Sequence, residues 1–312
     1  MRRIFTLGET VFDIIFKNDL PQTCKPGGAM LNTAVSLGRL SLPVYLISEY
    51  AEDHTGKLID GFLTANGVSA QYIHHYCNGK TPLALAFLDE QNNASYTFYK
   101  IYPEERLAIV FPDAGSEDII LFGSIYSVTH EIRGKLMAFI KESHKKAATI
   151  IYDPNIRKTG DYLGKEVFNM VSENIHYSSV VRASDEDCKA LFDVNDGESA
   201  YKRIKEAGCR NLIYTSGGKK VELFTEQICC SYCLPEINTI STIGAGDTFN
   251  AGLIYSFIKS GIDYTNIDKV TEDVWKEAIE NAVAFASDVC MSYDNYISQG
   301  FAERLVKKIN IN

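Results

Sequence analysis

Hydrophobic and polar positions along this chain switch between two periods. Short apolar, β-branched runs at Ile4–Leu7, Val44–Ser48, Ile119–Phe122, Thr149–Asp153, Ser179–Arg182 and Asn211–Thr215 read as buried strands. Between them, Met30–Leu40, Gly56–Ala65, Glu131–Lys146, Gly164–Val171 and Glu198–Ala207 keep a helical period. Strand and helix in alternation predict a doubly wound α/β fold, a mostly parallel sheet with helices on both faces and right-handed crossovers. No repeat, low-complexity tract or long linker interrupts it, so residues 1–312 read as one α/β domain.

Two regions break the rhythm. Val11–Phe16 follows the first strand after only a Gly-Glu-Thr step, and Thr81–Leu88 and Ser95–Ile101 alternate about the polar turn Asp89–Asn93. With Gln71–Tyr76 they predict a small antiparallel sheet, inserted from about residues 11–26 and 71–103. Such a sheet suits a lid that excludes water from a reacting centre, or a plain edge decoration. Toward the end, Asp273–Ser292 and Phe301–Ile309 read as helices, with Trp275 on an apolar stripe and so in the core.

Composition narrows the function. With 46% hydrophobic and 23% charged residues, the chain is neither disordered nor collagen-like. Its 31 Lys+Arg against 40 Asp+Glu give a net charge of −9, which disfavours nucleic acid and anionic membrane surfaces as partners. An anionic ligand must then be held by short-range dipoles and a few placed cations. No apolar stretch is long enough to span a bilayer, and Gly8 and Glu9 interrupt the start before a signal core forms, so a cytoplasmic protein is expected. Of eight cysteines only Cys229, Cys230 and Cys233 cluster, in the strand-like run Ile228–Leu234. No second ligand pair follows, so they are expected as buried or half-buried strand thiols rather than a metal or redox centre.

Chemistry concentrates in three places. Gly244-Ala245-Gly246 opens a helix, where close backbone approach and the helix dipole favour an anion, and Asp247 stands beside it on the first turn. A carboxylate there can take the proton of a hydroxyl that attacks a phosphoryl group. Neither a P-loop nor a dinucleotide fingerprint is present. A second pair of glycines, Gly27-Gly28, opens another helix with Asn32 one turn in, an amide suited to neighbouring sugar hydroxyls. Asp13 is a carboxylate in an apolar strand, requiring either polyol hydroxyls or a salt bridge.

Gly27-Gly28-x-x-x-Asn32-x-Ala34 together with Gly244-Ala245-Gly246-Asp247-x-Phe249 resembles the ribokinase (PfkB) family of sugar kinases, in the expected order along essentially the whole chain. Glu52-Asp53-His54-Thr55-Gly56, preceded by Ala51 where the family has glycine, is similar to another of its steps, and Asp153-Pro154-Asn155-Ile156-Arg157 resembles its fructokinase-like branch. The resemblance implies a ribokinase-like fold and transfer of a phosphate from ATP to a sugar hydroxyl, fructose first and 2-keto-3-deoxygluconate or another sugar or nucleoside as the alternative. It implies Asp247 as general base, Gly244, Ala245 and Gly246 as anion hole, and Asp13, Gly28, Asn32 and Arg157 as sugar ligands. Thr215, Gly217 and Asn281 would face the nucleotide, and Asp187 would meet Mg²⁺ through water, although Ser184 and Asp187 replace the family's Asn and Glu. The small sheet would cover the sugar and join two copies into a homodimer. Many relatives bind K⁺ beside the anion hole through an Asp that is Ser241 here, which makes a K⁺ requirement doubtful. A non-catalytic sugar sensor is the alternative of a different class.

Overall fold

Four consecutive buried residues make the first strand, β1 (Ile4–Leu7), and the polar step after it releases the chain into β2 (Val11–Lys17), whose buried and half-buried positions alternate. A computed structural model describes residues 2–90, 94–156 and 164–309, in two compact units. One comprises Phe5–Pro112, Thr239–Ala251 and Phe285–Asn312; the other comprises Met1–Ile4, Asp113–Asn238 and Gly252–Ala284.

In the unit that begins at Phe5, β3 (Leu20–Gly27) leads into α1 (Ala29–Gly38), then β4 (Val44–Ala51), α2 (His54–Ala65) and β5 (Val68–Tyr76). Strands β1, β4 and β5 lie side by side in that order, with β4 and β5 parallel. The hairpin β6 (Lys80–Leu88) and β7 (Ala94–Ile101) completes a second sheet of order β3-β2-β6-β7. Its two outer pairings are antiparallel and its central β2–β6 pairing is parallel.

Gln71–Tyr76, expected in the small sheet, instead belongs to β5 in the parallel sheet. The cause is the β4-α2-β5 crossover, which returns the chain beside β4 and buries Val68, Ile73 and Tyr76. The place in the small sheet is taken by β3, a strand hidden in the sequence by Pro21, Pro26 and an exposed polar run.

In the other unit, β8 (Ile119–Gly123), α3 (His130–Lys145), β9 (Thr149–Asp153), α4 (Lys165–His176), β10 (Val180–Ser184), α5 (Asp185–Phe192), α6 (Gly197–Glu206) and β11 (Leu212–Ser216) follow in turn. Strands β8 to β11 are parallel neighbours, extended antiparallel by β12 (Lys220–Phe224) and β13 (Cys229–Cys233). Helix α4 runs past the expected Val171, burying Asn174 and Ile175. The later α-helices are α7 (Ala245–Lys259), α8 (Glu272–Cys290) and α9 (Gln299–Ile309). Trp275 is fully buried, edge-on to Phe257 with ring centroids 5.6 Å apart, as the apolar stripe predicts. The thiol expectation needs correction: Cys229 and Cys233 are exposed, and only Cys230 is half-buried. Among the described residues strand β13 pairs only with β12, and its alternate side chains face solvent.

Candidate active site

Helix α1 starts where it does because Gly28 adopts φ +118°, and a Cβ there would lie 2.2 Å from the Glu9 carbonyl oxygen. One residue earlier, a Cβ on Gly27 would lie 1.9 Å from the Asp13 carboxylate. The two glycines therefore hold the helix start against the strand that carries Asp13. That carboxylate is buried, opposite Lys25 in the β2–β3 register, and the two charges interact. The salt-bridge reading of Asp13 thus has a cation in place.

One turn into α1, Asn32 Nδ2 donates to Asp247 Oδ2 at 2.8 Å. Its neighbour Thr33 donates from Oγ1 to the Asp247 carbonyl at 2.7 Å. Asn32 is 4% exposed, and its Oδ1 has no hydrogen-bond partner among the described residues. Asp247 itself is half-buried on the first turn of α7, after Gly244, Ala245 and Gly246. Gly244 has φ +81°, and a Cβ on it would fall 2.5 Å from the Asn295 carbonyl oxygen and 2.7 Å from its Cα. Thr248 closes the turn, its N–H and hydroxyl both donating to the Gly244 carbonyl at 2.9 Å. The start of a helix leaves its first N–H groups without intrahelical partners and carries positive potential. One carboxylate, one buried amide and one such helix start are thereby assembled within a single unit.

Around them, charge is organised in pairs. Lys100 Nζ holds both Glu9 oxygens at 2.7 Å, and Tyr102 also donates to Glu9. Arg106 stacks 3.3 Å above the Tyr102 ring and bonds the buried Glu49 carboxylate through Nε and Nη2 at 2.7 and 2.6 Å. Asp53 caps α2, accepting from Gly56 N at 2.9 Å and from Thr81 N and Oγ1 at 3.0 and 2.7 Å.

In the other unit, Asp153 at the end of β9 pairs with Arg182 of β10 at 3.2 Å, and Arg182 Nη2 donates to Thr215 Oγ1 at 2.8 Å. Thr215, next to last in β11, is thus held by a guanidinium, and Gly217 lies in the tight turn closed by Lys219 N on Ser216 O at 3.0 Å. Ser184 and Asp187 form a capping box on α5, and Asp187 Oδ1 also accepts from Ile156 N at 2.9 Å. Asp187 Oδ2 takes both the N–H and the hydroxyl of Ser184, so the carboxylate has one acceptor position left, on Oδ1. That position can accept a further hydrogen bond, such as one from a metal-bound water, and no cluster of three acidic, Cys or His side chains suited to a metal occurs among the described residues. Asn281 donates to Ser256 Oγ at 3.0 Å where α8 crosses α7 at Gly252, a packing contact. Arg157 lies outside the described residues.

Several residues of these clusters escape the sequence. Thr33 reads as an ordinary helix residue, Arg182 as a strand flank, and Asn295 is far along the chain from the glycine it supports. Gly27 was legible as half of a glycine pair, although its direct contact with Asp13 was not.

A family model described as "pfkB family carbohydrate kinase" matches residues 1–297. A fructokinase of Vibrio alginolyticus is 25% identical over 265 residues, covering 81% of this chain and 83% of that protein. A probable fructokinase-4 of Arabidopsis thaliana is 26% identical over 270 residues, with 82% of each covered. The structure of a fructokinase from Xylella fastidiosa with bound ATP superposes with a TM-score of 0.84 at 19% identity, over 99% of each chain. That of aminoimidazole riboside kinase from Salmonella enterica gives 0.81 at 18%, over 98% of this chain and 99% of the other. Structural likeness at such identity speaks for the fold; the match along the chain, with the glycine-headed helices and their aspartate in order, makes this protein a member of the pfkB family of carbohydrate kinases.

Proposed function

We propose that the protein transfers the γ-phosphate of ATP to a hydroxyl of a neutral sugar, with fructose as the first candidate. The observation that carries the reading is the Asn32–Asp247 hydrogen bond at the glycine-headed start of α7. Asp247 accepts the proton of the sugar hydroxyl as its oxygen bonds to the γ-phosphorus and the bond to the β,γ-bridging oxygen breaks, releasing ADP. Gly244, Ala245 and Gly246 stabilise the charge on the transferred group, and Asn32 holds the base in orientation. Asp13, Gly28 and Asn32 bind sugar hydroxyls; Thr215, Gly217 and Asn281 serve the nucleotide. Asp187 would hold a hydrated Mg²⁺ through water, and the ion would supply neutralisation of phosphate charge.

The pairing of basic groups supports a neutral sugar over a sugar acid. Lys100 and Arg106, the cations an anionic substrate would call on, are committed to Glu9 and Glu49. Relatives named fructokinases, at about 25% identity, point the same way. Retention of a carboxylate beside the helix start speaks against a non-catalytic sensor. Phe12, Ile14, Phe16, Leu83, Leu85 and Phe87 share one face of the small sheet in register, half-buried or exposed, and Phe16 and Phe87 stack at 5.0 Å. That face supports a homodimer.

The test is a coupled ADP-release assay with fructose, 2-keto-3-deoxygluconate, ribose and inosine. Turnover with fructose well above the other three is expected. Preference for the sugar acid would overturn the neutral-sugar reading, and binding without turnover would restore the sensor.

A further inference from the structure

We infer that Lys25 is a positioning residue of the sugar site, a built-in cation that fixes the Asp13 carboxylate and anchors the loop on which the glycine-headed start of α7 is seated. The inference rests on the reading of Asp13 as a sugar ligand. Lys25 and Asp13 are directly opposed in the antiparallel β2–β3 register, so their side chains share one face of the small sheet. Both are more than nine-tenths buried, at 8% and 9% exposure. A long cationic side chain is rarely buried without a dedicated partner.

Lys25 has such a partner in the chain that follows α8. Its Nζ donates to the Tyr293 carbonyl. Two residues further on, Asn295 is the backbone against which Gly244 is packed. A single ammonium therefore ties together the strand carrying Asp13, the 293–295 loop and, through that loop, the helix start carrying Asp247. Burial pulls its pKa below the ordinary lysine range, and the charges of Asp294 and Asp13 act against that pull. In the sequence Lys25 carries no special mark, since it follows a polar run and lies between two prolines, Pro21 and Pro26.

Two readouts test this on the full-length enzyme, with Lys25→Met, which keeps length without charge, and Lys25→Arg, which keeps charge. The first is amide hydrogen exchange in the absence of ligands. Lys25→Met is expected to speed exchange across residues 292–298 by about tenfold or more, the scale of breaking a buried charged hydrogen bond. Unchanged exchange overturns the anchoring role. The second is kinetic. Sugar KM is expected to rise about tenfold in Lys25→Met, no more than in Asp13→Ala, with ATP KM within about twofold and much of the loss recovered in Lys25→Arg. Equal damage to both KM values, or no damage, overturns the positioning role. Failure of both variants to fold does so too, since Lys25 would then be a requirement of the fold alone. If the wild-type enzyme phosphorylates no sugar, it is the proposed function that fails, and the exchange measurement still decides the role of Lys25.

Discussion

Asn32 and Asp247, on the first turns of two helices distant in sequence, meet through a hydrogen bond, Nδ2 to Oδ2 at 2.8 Å. The bond fixes one carboxylate oxygen and leaves the orientation of the group set by its neighbour on α1. Thr33 fixes the backbone of the same residue at 2.7 Å. An aspartate held at both side chain and main chain is preorganised before any substrate arrives.

Asp247→Asn should therefore abolish transfer without harming the fold. The amide keeps the size and loses the basicity, so kcat is expected to fall by about 10²–10⁴-fold or more, with an unchanged melting temperature. The measurement is steady-state ADP release beside a thermal melt. Near wild-type kcat would remove Asp247 from the role of base.

Asp13→Ala and Asn32→Ala should separate the two substrates. Sugar KM is expected to rise about tenfold or more, the value of a hydrogen bond to a charged or buried partner, while ATP KM barely moves. Asn32→Ala should also lower kcat, because it frees the Asp247 carboxylate. Equal rises in both KM values would make these residues structural.

Mg²⁺-dependent activity should be nearly indifferent to K⁺. The expectation rests on Ser241, a neutral side chain where the family resemblance implies an ion-holding Asp, and its hydroxyl oxygen accepts from Ile243 N at 3.2 Å. Lys220, a lysine that could stand in for such an ion, is paired with Glu222 at 2.8 Å. Exchanging K⁺ for tetramethylammonium at constant ionic strength should leave kcat within about twofold, since little charge remains to hold a weakly bound ion. A several-fold rise with K⁺ would show a working ion site.

Self-association should run through the open face of the small sheet. Leu85→Lys, placed among Ile14, Leu83 and Phe87, is expected to shift light scattering from dimer to monomer at micromolar concentration. A wild-type monomer at the same concentration would count against the dimer itself.

The sequence made some of this legible and hid the rest for definite reasons. Glycines followed by a helical period mark both helix starts, because backbone conformation is a local property, and so Asn32 and Asp247 were within reach. Partners are not local. The alternation in Gln71–Tyr76 is the same whether the strand joins the small sheet or lies beside β4, and only the crossover through α2 decides. Cys229 and Cys233 read like core thiols until the strand order puts them on an edge. Asn295 and Lys25 carry no local signature, since their importance comes from which main-chain atoms they approach.

Asp53 gives the molecule an acid-sensitive joint. Its carboxylate spans from the first turn of α2 to Thr81 at the base of β6, so it fastens the small sheet to the helix beside it. Burial works against its charge, but hydrogen bonds from Thr81 and Gly56 and the charge of Lys80 outweigh that effect and hold its pKa below the ordinary aspartate range. A group with a depressed folded-state pKa contributes stability that is complete above its unfolded value and is lost as pH falls through the folded one. Acidification should thus loosen the β6 end of the small sheet through this residue, and Asp53→Asn should already be loosened at neutral pH and lose less on further acidification. Exchange rates of the Thr81 and Gly56 amides, followed down the pH scale with the intrinsic rate removed, would read that loosening directly; equal pH dependence in the wild type and the variant would assign the joint elsewhere.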